Sequence, residues 1–183
     1  MCLAENKNQA GRETAPLFVC RRMIHMAILA LLLAAGAAVA DQVIKLLVVQ
    51  FLKPIGIQTL IPGFLSLDYL ENRGAAFGIF PNKQWIIALL TAVICVLIVV
   101  MMFRYHKHNA LSWTACTLIL GGGVGNIIDR FARGYVVDYI HFHFFPYIFN
   151  FADICVVIGV ALLILYLIFS DREEAKKVEN GNA

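Results

Sequence analysis

Eight polar residues stand in or beside apolar runs where few such groups are expected. Asp41 and Lys45 follow the first run, and Asn126, Asp129 and Arg130 close the third. Asp138 is expected in the short loop between the last two runs, and Asn150 and Asp153 open the fourth. An ionisable group at membrane depth costs about 2.5–3.5 kcal/mol on insertion scales, so each marks a candidate functional position. Each also has a plain structural use. Asp41 and Lys45 are spaced i,i+4, as in a helix salt bridge. Asp153 falls in a first helical turn, where a carboxylate meets the positive end of the dipole. Asp129 and Arg130 can simply mark an interface.

Hydrolytic chemistry narrows by supply. The only serines are Ser66, Ser112 and Ser170, none within G-x-S-x-G. H-E-x-x-H is absent, and the histidine pairs His106/His108 and His141/His143 have no obvious third ligand, so no metal or cofactor is expected. Of Cys2, Cys20, Cys95, Cys116 and Cys155, none forms C-x-x-C and the last three sit in apolar runs as small packing residues. Carboxylates remain. Two aspartates held close share one proton: the ionised one takes a proton from water while the other polarises a carbonyl. Asp138 and Asp153, separated by an excursion that must return to the same face, are the best-placed pair.

The elements that position them follow from composition. Of 183 residues, 61% are apolar or aromatic and 15% charged, against about 45–50% and 25% in soluble domains. This excludes a disordered chain and points to a membrane protein. A net charge of +3 without a basic block gives no nucleic-acid footprint. Four runs, at about 24–40, 85–103, 111–128 and 151–169, approach the roughly 20 residues of a transmembrane helix. The third carries Gly121, Gly122, Gly123 and Gly125, which read as a close-packing face. A phosphate loop would end in Gly-Lys-Ser/Thr.

Nine of the 15 basic residues lie in residues 1–22, the loop after the second run, and residues 171–183. The positive-inside rule puts these in the cytoplasm, with 41–84 and 129–150 outside. All eight polar residues then converge on one membrane face. Residues 1–22 read as a disordered cytoplasmic tail, 23–170 as the membrane domain and 171–183 as a second cytoplasmic tail. Trp85 and Trp113 open their runs, as in an aromatic belt. Arg21-Arg22 followed by Ala38-Val39-Ala40 also resembles a secretory signal with a cleavage site, but the run is long and three more follow. Both Met1 and Met23 can serve as the start.

The outward segments are not simply polar. Val43 to Leu52 either extends the first helix or lies along the surface. Residues 64–70 alternate, with Leu65, Leu67 and Tyr69 on one face, between turns at Pro62-Gly63 and Asn72-Arg73-Gly74. The expected architecture is an all-α membrane protein: a four-transmembrane-helix bundle with a small extracytoplasmic β element. The aromatics of 142–149 either grip headgroups or pack.

Five elements together resemble the bacterial lipoprotein signal peptidase (signal peptidase II) family. They are Asp41-Gln42-Val43-Ile44-Lys45, Asn72-Arg73-Gly74-Ala75-Ala76-Phe77-Gly78, Gly122-Gly123-Val124-Gly125-Asn126-Ile127-Ile128-Asp129-Arg130, Gly134-Tyr135-Val136-Val137-Asp138-Tyr139-Ile140 and Phe149-Asn150-Phe151-Ala152-Asp153. They occur in the family's order over residues 24–170. The resemblance implies a membrane-embedded aspartic endopeptidase of the bacterial inner membrane, cutting diacylglyceryl-modified prolipoproteins before the lipidated cysteine. It implies Asp138 and Asp153 as the catalytic pair. Asn126, Arg130, Asn150, Asn72 and Gly74 would bind substrate, and Asp41, Lys45 and Asp129 would be structural or positioning. Membrane lipids and a globomycin-type inhibitor are the other implied partners.

Three rival functions are weighed on residues. An ion path needs polar groups through the full depth, whereas the second run has none from Ala92 to Phe103. A presenilin-like G-x-G-D fails because Asn126 follows Gly125. A non-catalytic assembly factor stays open to substitution of the aspartates.

Overall fold

The computed structural model describes residues 14–74, 84–105 and 107–181, with side chains for 22–74, 84–105 and 107–170. Helix α1 spans Thr14–Leu47 and ends in a π-helical turn, Val48–Leu52. Strands β1 (Ile57–Ile61) and β2 (Leu65–Asn72) precede α2 (Gln84–Arg104) and α3 (Ala110–Arg133). Then follow β3 (Val136–Phe142), β4 (Ile148–Phe149) and α4 (Phe151–Gly181). Four helical stretches, 22–52, 84–104, 110–133 and 151–170, are long and apolar enough to cross a membrane.

Helix α3 is the hub, packed against α1, α2 and α4, which touch one another little. Its glycines make the close approach. A Cβ on Gly122 would lie 2.3 Å from the Ala152 carbonyl oxygen, and one on Gly125 2.6 Å from an Asp41 carboxylate oxygen. The core at this level joins Ala27, Ala30 and Ala34 of α1 to Cys95, Ile98 and Met102 of α2 and to Trp113, Cys116, Ile119 and Leu120 of α3. Exposed Leu, Ile, Val and Phe side chains cover the outer faces of α1, α2 and α4, the pattern suited to lipid.

The strands form one antiparallel sheet in the order β1-β2-β3-β4. The Gly63 backbone turns left-handed at φ +70° to start β2. Leu67 and Tyr69 pack with Val48, Leu52, Val137 and Tyr139 into a second core that fixes the sheet to the top of α1.

Several expectations change. Residues 14–22, expected within a disordered tail, are helical, because a nucleated helix propagates cheaply through residues without glycine. Pro16 sits in the first turn, where its missing N–H costs nothing. Residues 1–13 lie outside the described residues, as do Ala75 to Gly78. Of the two readings open for Val43 to Leu52, the structure takes the first: the segment extends the first helix, and Asp41 and Lys45 form the i,i+4 pair within it. Asp138, expected in a loop, lies on β3. Trp113 is 8% exposed in the core, while Trp85 is 68% exposed: a ring on the hub helix faces protein on every side. The aromatics of 142–149, for which packing is one of two readings, do pack: Phe142 at the end of β3 lies 5.5 Å from Phe64 and 5.8 Å from Phe149 of β4 between ring centres.

Candidate active site

Helix α4 begins with a reciprocal cap. The Asn150 side-chain oxygen accepts the Asp153 N–H at 3.0 Å, and the Asp153 carboxylate accepts the Asn150 N–H at 3.1 Å. This satisfies two donors that a helix start leaves unpaired. The same Asn150 donates its amide to Asp138 Oδ1 at 2.6 Å. Asn72, at the end of β2, donates to Asp138 Oδ2 at 2.9 Å. Asn126 of α3 donates to Asp153 Oδ1 at 2.7 Å. Two carboxylates from a strand and a helix are thus held by three asparagines, with Asn150 bonded to both aspartates.

Asp138 is 1% exposed. Burial, with the charge of Asp153 beside it, pushes its carboxyl up to about 7, against the opposing hydrogen bonds from Asn72 and Asn150. A carboxyl that keeps its proton near neutrality next to a second carboxylate is what acid–base catalysis by a pair requires.

Beneath the pair lies a buried ionic network. Lys45, 0% exposed, bonds Asp41 at 2.8 Å, Asp129 at 3.0 Å and the Asn126 side-chain oxygen at 2.9 Å. Asp41 also accepts the Ala152 N–H at 3.1 Å, and Asp129 accepts the Val137 N–H at 3.1 Å. Arg133 completes the set with a close ion pair to Asp129. Buried ions persist only when paired and hydrogen-bonded in this way. The i,i+4 pair of Asp41 and Lys45 is therefore real, but it is one side of a network that ties α1 to α3, α4 and β3.

Every sequence-predicted site residue converges here, with differences in contact. Asn72, Asn126 and Asn150 bond the aspartates themselves. Gly74 is buried, and its N–H donates to the Asn72 side chain at 2.9 Å in a tight turn. Arg130 donates to the Asn126 carbonyl at 3.1 Å, while its buried Nε has no partner among the described residues. Sequence reasoning left out Gln42, which donates to the Gly125 carbonyl at 3.0 Å and to Asp129 at 3.2 Å, and Arg133. The i,i+4 spacing of Asp129 and Arg133 was the available signal. His141 and His143 serve the sheet: His141 Nδ1 is 2.6 Å from Asp68, and His143 Nε2 is 2.9 Å from the Ser66 hydroxyl. His106 lies outside the described residues.

The sequence profile described as signal peptidase (SPase) II matches residues 24–169. The lipoprotein signal peptidase of Caldanaerobacter subterraneus subsp. tengcongensis is 40% identical over 141 residues, covering 77% of this chain and 97% of that one. That of Streptococcus agalactiae serotype Ia is 41% identical over 166 residues, covering 88% and 98%. A bacterial membrane enzyme solved by the in meso method at 2.3 Å resolution superposes with a TM-score of 0.70 at 34% identity, covering 78% of this chain and 88% of that chain. A second, solved at 1.9 Å, gives 0.67 at 35% identity over 75% and 91%. With its profile matched over most of its length, and relatives of this identity matched nearly end to end, the chain belongs to the signal peptidase II family.

Proposed function

We propose that this membrane peptidase, which removes signal peptides from lipoproteins, is an aspartic endopeptidase whose catalytic pair is Asp138 and Asp153. The observation that carries the reading is that Asn150 bonds both aspartates, one of them buried with a carboxyl raised to about 7. A water between the carboxylates loses a proton to the ionised member as its oxygen attacks the scissile carbonyl. The protonated member donates to the carbonyl oxygen. The pair shares one proton before and after, so no metal is needed to balance the step.

The substrate is a diacylglyceryl-modified prolipoprotein, cut before the lipidated cysteine. Arg130, whose Nε has no partner among the described residues, and Gly74 with the Asn72, Asn126 and Asn150 amides face the substrate backbone. Asp41, Lys45 and Asp129 hold the framework. All four apolar helices cross the bacterial inner membrane, with both termini cytoplasmic and the sheet and active site at the outer leaflet. The distribution of Arg and Lys supports that orientation. Exposed Phe51, Ile57 and Phe64 support contact between the sheet region and membrane lipid. A globomycin-type inhibitor would compete at the pair.

The test is a gel-shift assay of a diacylglyceryl-prolipoprotein with purified protein in lipid. Wild type is compared with Asp138→Asn, Asp153→Asn and Asp68→Asn, a sheet carboxylate outside the pair. Loss of cleavage in the first two alone, with folding retained, is the expected result. Cleavage by either pair variant at the wild-type rate would overturn the assignment.

A further inference from the structure

The two aspartates sit in unlike surroundings: among the described residues, a chain of contacts from buried cations ends directly on Asp153 and reaches Asp138 only beyond it, through Asn150. Arg133 pairs with Asp129, and Asp129 bonds Lys45 at 3.0 Å. Lys45 bonds the Asn126 side-chain oxygen at 2.9 Å, and the Asn126 amide donates to Asp153 at 2.7 Å. An ammonium on the oxygen of an amide polarises it, so that its N–H₂ becomes a stronger donor on the far side. Asp153 also accepts the Asn150 N–H at the positive end of α4. Asp138 lacks both direct contacts and meets the Lys45 charge only through space: it lies mid-strand, opposite Leu70, and its two bonds come from asparagine amides not themselves bonded to a cation among the described residues.

We infer that Lys45 is a positioning residue for hydrolysis, acting through Asn126 to keep Asp153 the ionised base and to leave Asp138 the proton-bearing acid. The inference rests on the catalytic pair proposed above and assigns the roles within it. Asp153 takes the proton of the attacking water as the new C–O bond forms, and Asp138 gives its proton to the carbonyl oxygen. On collapse the C–N bond breaks and the leaving amine takes the proton from Asp153. The hydroxyl returns its proton to Asp138 as the carbonyl re-forms. The charged and titratable groups coupled to Asp153 among the described residues are Lys45 on α1, Arg130 on α3, and Asp138 and Tyr139 on β3, with Asp41 and Asp129 behind them on Lys45. Asp41, Asp129, Lys45 and Arg133 sum to zero charge, so removing the ammonium alone would strand a buried carboxylate.

The test therefore uses a charge-balanced pair of variants, Lys45→Met with Asp129→Asn, beside Asp129→Asn alone. Cleavage of a diacylglyceryl-prolipoprotein in lipid is followed from pH 4.5 to 9, about the range that brackets both limbs of an acid–base profile. The expected result is an acid limb moved up by about one unit relative to Asp129→Asn, the low end for removing a nearby opposite charge. KM should be unchanged, because Lys45 does not reach the substrate. Superimposed acid limbs, or a loss uniform across pH, would overturn the inference. If the double variant does not fold, Asn126→Ser, which removes the relaying amide together with a group proposed to face the substrate, is read against wild type on the position of the acid limb alone. An independent reading comes from the infrared carboxylic-acid band. The carboxyl remaining in Asp153→Asn should titrate at higher pH than the one remaining in Asp138→Asn, and the reverse order would overturn the roles. Wild-type cleavage by either of these two variants would instead sink the aspartic mechanism itself, separating the two failures.

Discussion

Asn150 Nδ2 stands 2.6 Å from Asp138 Oδ1 while its own side-chain oxygen caps α4 on Asp153. Helix start and proposed active site thus share one side chain, and a pair of variants separates its two uses. Asn150→Ala should lose the cap, about 0.5–2 kcal/mol of stability, together with the arm to Asp138. Asn150→Ser should recover most of the stability but not the arm. Misplacement of about 1 Å at a reacting group costs about 10²-fold in rate, so both variants should cut prolipoprotein about 100-fold more slowly. Recovery of activity along with stability in the serine variant would reduce Asn150 to a cap.

The pH profile follows from Asp138. Its carboxyl stands at about 7, against 3.8 for the free side chain, because it is buried and faces Asp153. The folded protein therefore holds this proton through a window in which the unfolded chain releases it. The group's contribution to stability is full below 3.8 and is lost as pH rises through about 7. Activity follows the same proton: above about 7 both carboxylates ionise and none remains to polarise the carbonyl. Cleavage should fall about tenfold per pH unit on the alkaline side. A rate that stays level to strongly alkaline pH, in protein shown to remain folded, would remove Asp138 as the acid.

The helices were legible because apolar runs of membrane length leave little ambiguity. The convergence of Asp41, Asn126, Asp138 and Asp153 followed from placing those runs in order. Strand β3 was not legible. Val136, Val137, Asp138 and Tyr139 are all buried, so no alternation of inward apolar and outward polar side chains marks the segment. That is how a strand covered on both faces looks in sequence. Asp138 was accordingly expected in a loop, although the strand is what holds it facing Asn150. The ends of α1 were hidden for a different reason: Asp41 and Lys45 look like a boundary until Asp129 and Asn126 are present to satisfy them. Trp113 resembled a belt residue because nothing in its own helix shows that three others surround it.

The glycines of α3 give a prediction about stability that reaches the site. A Cβ on Gly122 would sit 2.3 Å from the Ala152 carbonyl oxygen, an atom of the α4 backbone, so Gly122→Ala must push the helices apart. The Ala152 N–H is bound to Asp41 at 3.1 Å, and Asp153 follows directly, so the shift displaces the pair. Overpacking of this kind costs about 1–3 kcal/mol. Gly36 in α1 has nothing within 4 Å of its Cβ position, so Gly36→Ala should be neutral or stabilising by up to about 1 kcal/mol. Thermal unfolding in detergent, with cleavage measured alongside, compares the two. Equal melting temperatures for both variants would mean that α3 and α4 do not need this approach.

The proposed orientation predicts which surfaces are reached from outside the cell. The sheet joins the ends of α1 and α3 that carry Lys45 and Asp129, and Asp138 lies within it. The opposite end carries Arg104, which closes α2, and Lys107 in the α2–α3 connection. Arg and Lys in short loops are retained in the cytoplasm, so sheet and connection should lie on opposite sides of the membrane. In a background with the native cysteines replaced, Gln58→Cys on exposed β1 should react with a membrane-impermeant maleimide in intact spheroplasts. Lys107→Cys should react only after permeabilisation. The reverse pattern would put the catalytic pair on the cytoplasmic face, where a signal peptide's cleavage site, at the outer end of its apolar segment, does not arrive. Labelling of both positions in intact spheroplasts would contradict the four-crossing arrangement itself.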